Sequence, residues 1–319
     1  MKYRILFCLL LLVTTPFIYA QEPPQYPIQV KAAIFIVDVR DIDGARQNFS
    51  ADVLVRLRWK NDSLASDQRR FLPLSAAWHP NVQIVNRITV QTTLPEGLEV
   101  DADGNVIYRQ RFIGQFSCAM NLREFPFDQQ EFPIRLVAIG FSPEKIQFEP
   151  DLEAVIASKF SITDWRISSA NKKAETYHAP GGIRLAGFSA SFEAKRYFLF
   201  FFIQIVIPIA LIVGMSGIAF WLDRSQPGPR ISISITAMLT IVAYRLLLAN
   251  FTPRLAYLTR LDYFVFSSTF LVFMSLVTVV IISRLMLNQN ETLGTKLDLQ
   301  ARWVFPLLFL IVLVLCFFV

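Results

Sequence analysis

One helix-length segment of the chain carries a stripe of small and hydroxyl-bearing side chains. Residues 227–250 are mostly apolar, with Arg230 near their start. At about 100° per residue, the following side chains fall within roughly 40° of one line: Ser232, Thr236, Leu239, Ala243, Leu246 and Asn250. We interpret this stripe as a face in contact with water or ions, with the leucine at mid-depth as a hydrophobic constriction. The alternative is that the hydroxyls bond to their own helix or pack against a neighbouring helix, which is common in membranes.

Side chains suited to catalysis or metal binding are scarce in this sequence. His79 and His178 are the 2 histidines, and neither lies near a nucleophile or a cluster of metal ligands. Sequence motifs for phosphate, dinucleotide or zinc sites are absent. The sequence therefore predicts a protein that is not an enzyme, with no catalytic residues, no cofactor and no metal.

Hydropathy divides the 319 residues into a polar first part and an apolar second part, with a mean hydropathy of +0.43. Residues 1–20 have the pattern of a secretory signal peptide, because Lys2 and Arg4 precede an apolar run that is too short to span a bilayer. Residues 21–196 then form an exported domain in which acidic and basic residues balance. Since no clustered basic face is visible, nucleic acid is not an expected partner.

The exported domain has the sequence pattern of short β-strands. Apolar and polar residues alternate in residues 52–60 and again in residues 186–193, which is typical of sheets with one wet face. Turn signals recur between such runs, among them Asp43-Gly44 and Asp103-Gly104. We predict an all-β sandwich of the immunoglobulin-like type, with residues 168–182 as a long loop.

Four apolar segments follow the exported domain and predict a transmembrane bundle of four helices. Their predicted bounds are residues 197–222, 231–250, 263–283 and 303–319. The second segment is less apolar because it contains hydroxyls and Arg245, which is expected to face other helices. The connections predicted to lie on the inner side, residues 223–230 and 284–302, hold more lysine and arginine than residues 251–262, which agrees with the positive-inside rule.

The stretch of residues 118–132 contains the sequence Phe125-Pro126-Phe127-Asp128, a rigid aromatic and proline turn that carries a carboxylate. It resembles the signature loop of the pentameric ligand-gated ion channels, the Cys-loop receptor superfamily. Cys118 lies where eukaryotic members have their first loop cysteine, and Phe132 lies at the position of the second. The chain therefore resembles the disulfide-free prokaryotic branch of that superfamily.

Motifs elsewhere match the same family in order and spacing. Arg196 precedes Pro208 by the interval that separates the pre-membrane arginine from the first-helix proline in the family. Further matches are Trp59-Lys60-Asn61-Asp62, Trp78-His79-Pro80-Asn81, Met238-Leu239-Thr240, Val242-Ala243-Tyr244 and Pro253-Arg254-Leu255. The resemblance thus covers nearly the whole mature chain.

The resemblance implies a homopentamer in a bacterial inner membrane, with each sandwich in the periplasm above four helices and the second helix lining an ion pore. The implied partners are four further copies of the chain, inorganic ions that permeate, membrane lipid, and a small-molecule agonist or protons. A membrane-anchored receptor that senses a ligand without conducting ions is the alternative.

The resemblance also implies roles for individual residues at the boundary between the two domains. The residues expected to couple agonist binding to the pore are Asp41, Asp43, Pro126, Phe127, Asp128, Arg196 and Pro253. Without the resemblance, Asp128 and Arg196 would be interpreted as a surface ion pair worth about 0–1 kcal/mol.

Agonist sites of the family lie between neighbouring sandwiches and often form an aromatic cage for a cation. Leu54, Val85 and Ile139 occupy cage positions here, which argues against a quaternary-ammonium agonist. The candidate ligand-binding residues that remain are Arg56, Arg109, Phe141 and Tyr177.

Ion selectivity is predicted from residues 228–230, where Gly228, Pro229 and Arg230 include no carboxylate. Pro229 and Arg230 resemble the anion-selective branch, in which a ring of arginines attracts anions by electrostatics. An arginine at this position also occurs in cation-selective relatives, where it faces away from the pore, so cation selectivity stays open. The predicted gate is a hydrophobic girdle at Leu239, with Ala243 and Leu246 above it.

Overall fold

The computed structural model describes residues 25–151, 157, 159–249, 255–288 and 290–318. The predicted signal peptide, residues 1–20, lies outside the described residues, as do Asn250 and Pro253.

The first part of the chain folds into strands that form two sheets. The strands are β1 Ile28–Asp43, β2 Asn48–Lys60, β3 Arg70–Leu72, β4 Val82–Ile84, β5 Arg87–Thr92, β6 Leu98–Val100, β7 Asn105–Ser117, β8 Gln129–Ala138, β9 Ile146–Pro150, β10 Trp165–His178 and β11 Arg184–Arg196. One sheet has the order β3-β6-β7-β2-β1-β9, with β5 also paired to β7, and the other has the order β10-β11-β8-β4. The predicted β-sandwich is confirmed.

The alternation of side chains in β2 shows why this sequence forms a sandwich. Val53, Val55 and Leu57 have no exposed surface, whereas Arg56 and Arg58, which follow Val55 and Leu57, lie on the opposite face. The two sheets meet through aromatic rings, among them Phe49 of β2 and Phe132 of β8, whose ring centroids lie 5.3 Å apart. The core therefore depends on apolar burial between the two sheets.

The prediction of a long loop at residues 168–182 is wrong. Strand β10 runs from Trp165 to His178 and pairs with β11 from Trp165↔Arg196 to His178↔Arg184. The turn closes where the Ala179 amide donates to the Ile183 carbonyl at 2.9 Å. β10 is an edge strand rich in lysine and other polar residues, so it lacks the apolar alternation by which a strand is predicted.

Four helices follow, each long and apolar enough to cross a membrane: α1 Leu199–Ile218, α2 Pro227–Leu248, α3 Arg260–Leu287 and α4 Glu291–Phe317. α1 contains a π-helical turn, Phe202–Val206, which ends two residues before Pro208, a residue with no backbone proton to donate. α2 begins at Pro227 and α4 at Glu291, both earlier than the predicted segments, because hydropathy detects the apolar part of a helix and not its polar first turns.

Candidate functional site

The hydroxyl stripe lies on a face of α2 that the other helices of the subunit leave uncovered. All described members of the stripe are exposed, with Leu239 at 66% and Leu246 at 70%. The opposite face is buried and includes Ser234, Ala237 and Ile241. The helix therefore has one face for packing within the subunit and one face for contact outside it.

Thr236 of the stripe and Thr240 beside it also make the back-bonds expected from the alternative interpretation. Thr236 Oγ1 donates to the Ser232 carbonyl at 2.9 Å, and Thr240 Oγ1 donates to the Thr236 carbonyl at 2.7 Å. Each hydroxyl oxygen keeps acceptor lone pairs after donating its proton. The two interpretations are compatible, because a back-bonded and exposed hydroxyl still offers an acceptor to water or cations.

Arg230 does not lie on the exposed face, which corrects its predicted place in a charged ring. Its side chain is 1% exposed, its Nε donates to the Ala219 carbonyl at 2.7 Å, and its Nη2 donates to the carboxylate of Asp298 in α4. Arg230 lies about 200° from Ser232 around the helix, on the side that packs against the subunit's own core. Of the two predicted selectivity residues, Pro229 is exposed and Arg230 is not.

Arg245 points from α2 towards the third helix, as the sequence predicted. Its guanidinium carbon lies 4.1 Å from the ring centroid of Phe266 in α3. A guanidinium over an aromatic face is a favourable cation–π contact, so an aromatic ring is the partner that the sequence did not identify.

Asp128 and Arg196 form a buried ion pair at the end of the sandwich that meets the helices. Arg196 Nε donates to Asp128 Oδ1 at 2.8 Å and Arg196 Nη2 donates to Oδ2 at 3.3 Å, with the two side chains 7% and 1% exposed. The Arg196 amide also donates to the Asp128 carbonyl at 3.2 Å. A surface pair is thereby ruled out, and this geometry is the two-bond contact in which arginine recognises carboxylate most strongly.

Aromatic rings enclose the guanidinium of Arg196. Its central carbon lies 4.0 Å from the ring centroid of Trp165, 5.0 Å from that of Phe125 and 5.6 Å from that of Phe201. Trp165 belongs to the sandwich and Phe201 to α1. The charge of Arg196 is therefore neutralised by Asp128 and sits where the two domains join.

The loop of residues 118–128 forms direct hydrogen bonds with the helical domain. The Leu122 amide donates to the Tyr257 hydroxyl at 2.9 Å, and the Arg260 amide donates to the Arg123 carbonyl at 2.9 Å. Arg260 Nε also lies 2.6 Å from the Glu124 carboxylate. This loop and the connection between α2 and α3 thus form one hydrogen-bonded contact.

The aromatic side chain of Phe127 extends this contact to two further helices. Its ring centroid lies 5.0 Å from that of Phe198, beside the start of α1, and 5.8 Å from that of Phe317 at the end of α4. Pro126, whose peptide bond with Phe125 is cis, is buried beside it. Tyr257, Arg260 and Phe317 were missed by sequence reasoning, because none of them has a local pattern that marks a contact so distant along the chain.

Asp41 and Asp43 lie near the turn between β1 and β2. Asp43 Oδ1 accepts hydrogen bonds from the amides of Ala45 and Arg46, each at 2.9 Å, so it shapes its own turn. The same turn reaches the 118–128 loop where the Met120 amide donates to Gln47 Oε1 at 2.6 Å. Asp41 is exposed on the outer face of β1.

Two family profiles match the chain in agreement with its two domains. The profile of the neurotransmitter-gated ion-channel ligand binding domain matches residues 14–186, and that of the neurotransmitter-gated ion-channel transmembrane region matches residues 205–293. The chain belongs to the neurotransmitter-gated ion-channel family. Members of this family are ligand-gated ion channels and not enzymes, so the predicted family and the predicted integral membrane protein are confirmed.

Individual relatives come from bacteria and mammals. The chain is 22% identical over 294 residues to a proton-gated ion channel of Gloeobacter violaceus, a match that covers 89% of this chain and 81% of that protein. It is 23% identical over 252 residues to the human gamma-aminobutyric acid receptor subunit alpha-2, a match that covers 74% of this chain and 56% of that subunit. The matched region is thus little more than half the length of the mammalian relatives.

The predicted ligand-binding arginines of this family member already have partners within the subunit. Arg56 Nη2 donates to Asp151 Oδ2 at 2.8 Å, and Arg109 Nη1 donates to Glu99 Oε1 at 2.5 Å. Arg56 and Arg109 face each other across β2 and β7. An anionic ligand would therefore compete with carboxylates for these guanidiniums.

The two aromatic candidates lie in the turn between β8 and β9 and in strand β10. Phe141 packs against Trp78, with ring centroids 5.7 Å apart, and Tyr177 sits in β10 opposite Leu185. The Phe141 carbonyl accepts from the Ala186 amide at 2.9 Å, which ties it to the β10–β11 hairpin. Tyr177 thus lies on the sheet opposite to that of the two arginines, whereas Phe141 lies in the turn that connects β8 of one sheet to β9 of the other.

Cys118 of this family member is buried, and its Sγ lies 3.3 Å from the Glu131 carbonyl. Burial raises the pKa of the Cys118 thiol to about 11. Because the thiolate is the reactive form, we expect Cys118 in the native protein to react with maleimide at about pH 8 about 100-fold more slowly than a free thiol. The measurement is mass-spectrometric labelling in a Cys8→Ser, Cys316→Ser background.

The control for this labelling is the same protein in denaturant, where the thiol regains its ordinary pKa and full labelling is expected. Fast labelling of the native protein would contradict the burial of Cys118.

Proposed function

We propose that this protein is a homopentameric ligand-gated ion channel whose pore is lined by the stripe Ser232, Thr236, Leu239, Ala243, Leu246 and Asn250. The observation that carries the proposal is the exposure of Leu239 and Leu246 on a face of α2 opposite to the buried one. A face of mixed hydroxyl, small and leucine side chains that the subunit leaves uncovered suits a helix whose copies surround a water-filled axis. Family membership supports the same assembly.

The proposed gate is the leucine girdle of that stripe. A ring of apolar side chains at a narrow point excludes water and thereby blocks ions without a mechanical plug. Agonist binding would shift the sandwich, and the shift would reach α2 through the contact between residues 118–128 and the α2–α3 connection, where Tyr257 and Arg260 bond the loop. Pro253 belongs to this connection.

The proposed agonist site lies between neighbouring sandwiches in the pentamer. Arg56 and Arg109 stand on β2 and β7 of one sheet, Tyr177 stands on β10 of the other sheet, and Phe141 stands in the turn between β8 and β9. We place the site where the arginines of one subunit meet the aromatic side chains of its neighbour. The bacterial relative is a proton-gated channel and the mammalian relatives are gamma-aminobutyric acid receptor subunits, so protons and small amino acids or amines are the agonist classes to test first.

The proposed selectivity is a modest preference for anions. It does not come from Arg230, whose charge is paired with Asp298 away from the stripe. The preference for anions would instead have two sources. Gly228 and Pro229 provide no carboxylate, and the amino-terminal ends of five α2 helices, which carry partial positive charge, would surround the cytoplasmic mouth of the pore.

The proposed location is the bacterial inner membrane with the sandwich in the periplasm, as expected if residues 1–20 are a cleaved signal peptide.

Current recording from purified pentamers in planar bilayers tests the proposed function. With asymmetric NaCl, and with pH lowered from about 8 to about 4 or amines and amino acids added, we expect currents whose reversal potential moves towards that of chloride. Vesicles without protein are the control. Correctly inserted pentamers that pass no current under any of these conditions would contradict a channel and favour the non-conducting receptor.

A further inference from the structure

The carboxylate of Asp298 in α4 forms ion pairs with three arginines at the end of the bundle where α2 begins. Asp298 is fully buried and accepts a hydrogen bond from Arg230 at the base of α2. Arg224, in the connection between α1 and α2, donates to Asp298 Oδ2 at 2.9 Å, and Arg302, one turn further along α4, donates to the same oxygen at 3.3 Å. The network therefore ties the start of α2 to the fourth helix.

The carbonyls of Ala219 and Phe220, the two residues that directly follow α1, accept hydrogen bonds from two of these guanidiniums. Arg230 Nε donates to the Ala219 carbonyl at 2.7 Å, and Arg302 Nε donates to the Phe220 carbonyl at 2.9 Å. Cations at the carboxyl end of a helix interact favourably with its dipole. The position of each arginine is therefore fixed by a carboxylate and a helix end together.

The three arginines differ in their access to water. Arg224 and Arg302 have side chains that are 28% and 22% exposed, whereas the side chain of Arg230 is 1% exposed. A buried guanidinium is stable only beside an opposite charge, because its water shell has been removed. Arg230 thus depends on Asp298 more than the other two arginines do.

We propose that Asp298 is a specificity-determining residue that keeps the charge of Arg230 out of the ion path. This inference rests on the proposed function, because it requires the stripe of α2 to line the pore. Without the Asp298 carboxylate, the guanidinium is driven towards water, and the aqueous space nearest to the start of α2 is the inner mouth of the pore. Each pentamer would then carry five uncompensated positive charges at that mouth, which attract anions.

The test compares reversal potentials of pentamers in asymmetric NaCl. Asp298→Asn is expected to raise the chloride-to-sodium permeability ratio about threefold. In the Arg230→Gln background the same Asp298→Asn change is expected to shift the ratio no more than Asp223→Asn does, because the buried guanidinium that it would release is gone and only one nearby negative charge is lost. Loss of a purely structural contact would lower the number of active channels but would not move a reversal potential.

Asp223→Asn is the matched control, since Asp223 lies in the same connection as Arg224, is exposed, and accepts hydrogen bonds on its carboxylate from the amide and hydroxyl of Ser225. This change removes the same charge without touching Arg230, so we expect a smaller shift in the permeability ratio than that of Asp298→Asn. An equal shift would show that any nearby charge has this effect and would overturn the proposal.

The remaining outcomes separate the inference from the proposed function. Wild-type pentamers that pass no current contradict both, whereas conducting wild-type pentamers with a reversal potential that Asp298→Asn does not move contradict the inference alone. If Asp298→Asn does not form pentamers, the Arg230→Gln, Asp298→Asn double variant must form them, because the uncompensated buried cation has been removed. If the double variant also fails to form pentamers, Asp298 is needed for folding or assembly even without the Arg230 charge, and the proposal is overturned.

Discussion

Asp128→Asn is expected to lower the free energy of unfolding by about 3–5 kcal/mol, the usual result of leaving one buried charge without its partner. Arg196 would keep its positive charge among Trp165, Phe125 and Phe201 without a carboxylate to balance it. The measurement is chemical or thermal unfolding of the detergent-solubilised protein. We also expect the agonist-evoked current to disappear, because the pair lies where the sandwich meets α1.

A second variant and a surface control make this expectation specific. Arg196→Met combined with Asp128→Asn removes the buried cation and leaves a neutral apolar side chain among the rings, so part of the lost stability should return. Glu144→Gln breaks the pair with Arg184, whose two side chains are more than half exposed, and should leave the unfolding midpoint nearly unchanged. If Asp128→Asn changes stability no more than Glu144→Gln does, Asp128 and Arg196 do not form the buried pair described above.

The features that could be predicted from the sequence are those with a local repeat. The alternation of apolar and polar residues in β2 predicts the sandwich, because the apolar side chains all point to one face of the sheet and must be buried against a second layer. The stripe along α2 follows from the angular repeat of a helix, and each of its described members is exposed. The loop at residues 125–128 could be recognised because its aromatic, proline and carboxylate residues are adjacent in the chain.

The features that could not be predicted depend on contacts between distant segments. Arg230 and Asp298 are 68 residues apart, and no pattern within either helix shows that they meet. The burial of Arg230 therefore appears only after α1, α2 and α4 are packed together. β10 was interpreted as a loop for a different reason, since an edge strand with many exposed polar side chains has no amphipathic period.

The proposed agonist site is even less predictable from one chain, because it would form between chains. Within the subunit, Arg56 is bonded to Asp151 and Phe141 packs against Trp78, but their relation to a neighbouring subunit depends on the symmetry of the assembly. The sequence predicts that Arg56 lies in a strand and Phe141 in a turn. The distance between them across an interface has no counterpart in the pattern of a single chain.

Leu239→Ser is expected to produce a leak current without agonist, or activation at about tenfold lower agonist concentration, which corresponds to about 1.4 kcal/mol. The proposed leucine girdle would exclude water because it is apolar, and a ring of serines would hold water and lower the barrier to ions. The Leu239 side chain is 66% exposed in the subunit, so the change removes little packing from the subunit's own core. The measurement is current in planar bilayers before and after addition of agonist.

Leu211→Ser is the matched control for this experiment, because Leu211 is also a leucine of a membrane helix and its side chain is 70% exposed. It lies on α1, which is not proposed to line the pore, so removing its apolar surface should change neither leak nor agonist sensitivity. Equal effects of the two substitutions would mean that loss of apolar surface anywhere in the bundle favours opening. If Leu239→Ser alone changes the current, the hydrophobic barrier is at this position of α2, and the uncovered face of that helix is the surface that ions pass.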